Sequence, residues 1–126
     1  LAEFVAHGQC FARGLDNVAG RPAGDRPALA DILHLDYDKG GEMVYSWSYT
    51  VHRFLNETGR SASWLAMAQA LRNPDREQAM STFEAELDQL IANDSEAYQQ
   101  WLGRELLPWW EANKDSDECK ANDSSH

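Results

Sequence analysis

The residues with the most chemistry to offer are four histidines and two cysteines: His7, His34, His52, His126, Cys10 and Cys119. A zinc hydrolase of the HExxH kind needs two histidines four apart on one helical face. No two histidines here have that spacing. Together with the cysteines they match no structural-zinc pattern either. There is no GxSxG turn to present a nucleophilic serine. Gly40-Gly41 lacks the flanking residues of a phosphate loop. The acidic run Asp115 to Glu118 is where calcium would sit, but it lacks the glycine and ligand spacing of an EF-hand loop. Cys10 and Cys119 lie 109 positions apart. Closing so long a loop would contribute about 4–5 kcal/mol in the chain-entropy picture, yet either cysteine could equally pair outside this chain. Taken alone, these residues make no self-contained catalytic constellation.

The chain of 126 residues has 11 Lys+Arg against 21 Asp+Glu and a net charge of −10. That charge opposes binding to nucleic acid phosphates or to an anionic membrane surface. With 43% hydrophobic residues, five of them Trp, it has the means to build a core. No apolar run approaches the roughly 20 residues of a membrane helix.

The elements that must position any site read as helices. Leu1, Phe4 and Val5 share one helical face, and the chain opens inside that helix, which predicts a piece of a longer protein. Gly8 and Gly14 loosen the chain after it, and Asp16 to Arg26 reads as a loop. Asp25 and Pro27 start a short helix to about His34. Val44, Trp47, Val51, Phe54 and Leu55 form the strongest apolar stripe, with Gly59 as C-terminal cap. A further helix runs from Ser63 to Leu71, with Trp64, Leu65, Ala68 and Leu71 inward, and Asn73-Pro74 ends it. Ser81 with Glu84, and Asn93 with Glu96, match capping boxes that open two more helices. The last presents Tyr98, Trp101, Leu102, Leu106 and Trp109, with Pro108 set to kink or end it. Trp101 and Trp109 fall at i and i+8 and read as core; Trp110, if exposed, would be the one aromatic to test as a substrate platform. The expected fold is mainly α, with five or six helices: residues 1–113 form the helical part, and 114–126 a polar flexible tail.

Several residues occur in a telling order: Leu1-Ala2-Glu3-Phe4, then Tyr37, then Val44-Tyr45-Ser46-Trp47, then Asn93-Asp94 and Tyr98. This series resembles the bacterial collagenase family, secreted zinc metallopeptidases of the gluzincin type. In that family HExxH is followed about thirty residues later by Glu-Gly-x-Ala-Glu-Phe, whose first Glu is the third zinc ligand. That ligand would lie two residues before Leu1. The resemblance implies that Glu3 accepts a hydrogen bond from the free N–H of a zinc-ligating histidine. It implies that Tyr37 donates to the oxyanion formed at the peptide carbonyl. One apparent extra residue lies between Tyr37 and Tyr45. His34, three residues before Tyr37, either lines the same cleft or closes the short helix, where a cation suits the helix dipole. His7 and His52 read as structural or surface.

The resemblance thus implies the C-terminal helical part of a secreted zinc metalloendopeptidase acting on collagen-like substrates. Its partner would be the N-terminal half of the peptidase domain, carrying HExxH and the zinc. This chain alone would then be inactive. The rival expectation is a non-enzymatic helical module that binds another protein's helix in an apolar groove.

Overall fold

The periodic stripe from Val44 to Leu55 becomes a deeply buried helix against which three other helices pack. The computed structural model describes residues 10–34 and 42–124. In chain order they form α1 (Ala12–Ala19), a 3₁₀ turn (Ala23–Asp25), α2 (Leu29–Leu33), α3 (Glu42–Glu57), α4 (Ala62–Ala70), α5 (Arg76–Trp101), a π-helical turn (Leu102–Leu106), α6 (Leu107–Asn113) and α7 (Asp117–Ser124). The mainly α class is as expected, and no strand occurs among the described residues.

Helix α3 is buried on nearly every side, with Val44, Trp47, Tyr49, Val51, Phe54 and Leu55 all in the core. Helix α1 packs along it, while α2 wedges between α3 and α5. Gly59, at φ 73°, ends α3 in a Schellman arrangement: Arg60 N–H donates to Leu55 C=O at 2.7 Å, and Gly59 N–H to Asn56 C=O at 3.4 Å.

Four local expectations differ from the structure. First, Gly14 does not break the chain. It lies buried inside α1, because Phe11 folds back over it, and a Cβ there would come within 2.5 Å of the Phe11 ring. Second, Ser81 and Asn93 do not open helices. Both lie within the 26-residue α5, whose actual N-cap is Asp75, its carboxylate accepting from Gln78 N–H at 3.3 Å. A capping box works only where the chain leaves the helix, and nothing interrupts α5 at either position. Third, α4 (sequence ASWLAMAQA) is apolar around most of its circumference, so its inward face was not encoded by periodicity. Met67 and Ala70 are buried, while Leu65 and Leu71 are 63% and 52% exposed. Fourth, the expected flexible tail from residue 114 contains α7, where Cys119 is buried and bonded to Cys10. Polar composition hid a helix held by one covalent tie.

Candidate functional site

Glu3 and Tyr37 lie outside the described residues, as does His7. The first segment joins Cys10 and α1. The second is flanked by His34 and by the start of α3. His34 is exposed at the C-cap of α2, its N–H donating to Ala30 C=O at 3.1 Å, which is the helix-closing position expected of it.

The other residues of the resemblance tie helices together. Val44 and Trp47 are buried, Tyr45 is partly exposed, and Ser46 Oγ accepts from Asn17 Nδ2 of α1 at 3.3 Å. Asp94 accepts from Arg60 Nε at 3.1 Å, just beyond the end of α3. The Tyr98 hydroxyl and Thr50 Oγ1 are 2.6 Å apart in the core, and Thr50 also donates to Trp47 C=O at 2.6 Å. Burial pushes the Tyr98 phenol's pKa well above its ordinary value, so this hydroxyl stays protonated at physiological pH. Its work is to join α3 to α5.

A polar group that the sequence did not flag lies one turn further along α3. Arg53 is almost fully buried; its Nε donates to Glu57 at 2.7 Å, and its Nη1 lies 3.4 Å from the Tyr49 hydroxyl. Its guanidinium lies 4.1 Å from the centre of the Trp109 ring. Burial raises the pKa of the Tyr49 phenol, with the Arg53 charge opposing. A buried cation is tolerated only when paired in this way. The i, i+4 spacing of Tyr49, Arg53 and Glu57 is the signal that was available.

Trp109 packs against the core as expected, but less deeply than Trp110. Trp110 is buried and Trp109 is half-buried under Arg53. The π-helical turn from Leu102 to Leu106 is the reason. Such a turn takes up an extra residue, so the helix beyond it is rotated relative to an unbroken α pattern. Pro108, which has no N–H to give, falls in the first turn of α6, directly after that shift.

His52 and Trp64 form a second unanticipated pair. Their rings stack at 4.5 Å with 22° between planes. His52 Nδ1 and Trp64 Nε1 are both buried without a hydrogen-bond partner. Each such orphan costs about 1–3 kcal/mol. Desolvation lowers the His52 pKa from 6.5 to about 4, so its imidazole is neutral at physiological pH. The two rings line a cavity of about 480 Å³ beside α4, and with Phe83 they divide it from a smaller one of about 110 Å³ that reaches Ile32, Leu33 and Val51. No linear pattern could have paired residues on two helices.

Among the described residues, no three His, Cys, Asp or Glu side chains are grouped so as to hold a metal ion. Compared with known proteins, the chain matches no family model, no curated protein and no solved structure.

Proposed function

We propose that this chain is the C-terminal helical part of a secreted zinc metalloendopeptidase resembling the bacterial collagenases. The observation that carries the proposal is that those residues of the resemblance that are described form one connected framework. Val44 and Trp47 are buried in the N-terminal half of α3, and Tyr98 and Asp94 of α5 are hydrogen-bonded to Thr50 within α3 and Arg60 just past it. The segments bearing Glu3 and Tyr37 continue directly into α1 and α3, which pack on each other. Residues with roles at one cleft need such a shared, rigid support. The Cys10–Cys119 disulfide fits an oxidising compartment.

In this proposal the zinc ligands belong to the polypeptide before Leu1. Zinc would supply Lewis-acid polarisation of the peptide carbonyl. Glu3 would orient a ligating histidine by accepting its free N–H. Tyr37, whose ordinary pKa near 10 keeps its proton in place, would donate to the oxygen that gains charge. The helices described here would hold both residues steady. The substrate class, collagen-like peptides, rests on the resemblance.

The test is to read the coding sequence upstream of Leu1 and assay the intact protein. Glu-Gly immediately before Leu1, HExxH about thirty residues earlier and zinc-dependent peptide hydrolysis are the expected results. Absence of HExxH from the intact protein would overturn the proposal. It would favour the rival helical binding module, for which the apolar cavity beside α4 is the specific observation.

A further inference from the structure

Helix α7 has eight residues, Asp117–Ser124, and its apolar side chains are those of Cys119 and Ala121. Cys119 is buried, while Asp117, Glu118 and Lys120 around it are exposed. A helix that holds a face against a core repeats apolar residues at i, i+3, i+4 and i+7. Helix α7 has no such stripe. Helix α2 makes the contrast: only five residues long, it still buries Leu29 and Ile32. An isolated helix of eight residues is marginal in water. The hydrogen bonds at the start of α7 are local, with Ser116 Oγ accepting from Cys119 N–H at 3.4 Å and Ser116 C=O from Lys120 N–H at 3.0 Å. What ties α7 to the body is the bond from Cys119 to Cys10, at the root of α1.

The surroundings of that bond point the same way. Cys119 and Lys120 line a cleft of about 280 Å³ with Ala12, Arg13 and Asp16 of α1 and Trp110 of α6. The contact beside the disulfide is therefore loose even in the bonded form. Cys10 and Cys119 are themselves buried. Two thiols need more room than a bonded pair of sulfurs, and a close-packed site gives that room only by moving an element. Helix α1 is fixed in the core by Leu15 and Val18, so α7 is the element that moves.

We infer that α7 is a redox-controlled latch: a dithiol reductant that cleaves Cys10–Cys119 releases α7 and uncovers the side of α1 and α6 beneath it, while the other helices stay folded. In the exchange a thiolate of the dithiol attacks one cysteine sulfur, forms a mixed disulfide and expels the other cysteine as a thiolate. The second thiol of the reductant then closes its own disulfide and expels the first cysteine. Two electrons pass from the dithiol to the protein, and the dithiol's two protons end on the cysteine sulfurs. The inference goes beyond the peptidase proposal and does not depend on it.

The experiment uses the full 126-residue chain, labelled with ¹⁵N, and measures backbone order parameters before and after reduction with dithiothreitol. The chain has two cysteines, so the reductant acts on one bond. In the oxidised chain α3, α5 and α7 should all be rigid, with S² about 0.85. After reduction S² in α7 should fall below about 0.6 while α3 and α5 keep their values. Reoxidation should restore α7. Cys119→Ala should show the released helix without any reductant. An α7 that stays rigid in the reduced chain, or that fails to return on reoxidation, overturns the inference. Loss of order in α3 and α5 together with α7 also overturns it, because the bond would then staple the whole fold. The comparison of oxidised and reduced forms of the unmodified chain decides the matter even if the variant fails to fold.

Discussion

Tyr37 and His52 show the two ways in which a residue's chemistry can be hidden or visible. Tyr37 stood out because its place in an ordered series resembles a family motif. In the intact protein, Tyr37→Phe removes only the hydroxyl. In the role proposed for Tyr37, losing this oxyanion donor should lower kcat about 10²–10³-fold, with KM and zinc content close to the parent's. Steady-state kinetics with metal analysis checks this, and an unchanged kcat would remove Tyr37 from the chemistry. His52 carried no signal, because its environment is made by Trp64 of another helix. Burial holds its folded pKa near 4, below the ordinary 6.5. As pH falls through 6.5 the unfolded chain takes up a proton that the folded chain refuses. The stability linked to His52 is therefore whole above about pH 6.5 and is lost progressively towards pH 4. Denaturant titrations across that range should show a steeper decline for the parent than for His52→Gln. Equal slopes would contradict the assignment.

At the scale of elements, legibility followed the strength of the apolar period. Helix α3 was plain, since its five-residue stripe keeps a regular period and Gly59 marks its end with a positive φ, although the burial of Ser46, Tyr49, Thr50 and Arg53 on its other faces was not legible. Helix α4 was not, because a segment apolar on most sides has no preferred face until neighbours choose it. The last turns were misread for a different reason: the π turn at Leu102–Leu106 shifts the phase, and a period assumed constant then selects Trp109 over Trp110. Helix α1 was missed because glycine reads as a breaker. Here Gly14 is a contact surface for the Phe11 ring, which in turn meets Tyr49 edge-on at 5.5 Å. Gly14→Ala gains helix propensity but drives Phe11 out of place. Overpacking of this kind should outweigh the gain and destabilise by about 1–3 kcal/mol. Thermal or denaturant melts measure it, and a variant more stable than the parent would show that Phe11 can move freely.

For the whole molecule, the ends of the described chain are joined by the Cys10–Cys119 disulfide, 109 positions apart. Sequence showed the two cysteines but left the pairing open, since connectivity depends on folding bringing α1 and α7 together. Reduction, or Cys119→Ser, should cost about 2–5 kcal/mol, seen for the variant as a lower melting temperature in the absence of reductant. No difference between the oxidised and reduced forms would mean that helix packing alone holds α7. The same helical body is proposed to serve as one wall of a larger peptidase, and that claim has a direct test. The intact protein is assayed on a collagen-like peptide before and after removal of metal, and again after zinc is restored. Hydrolysis that disappears with the metal, returns with zinc and is absent from the 126-residue chain alone is the predicted result. An intact protein that binds no zinc, or that fails to cleave the peptide when loaded with it, would contradict the account.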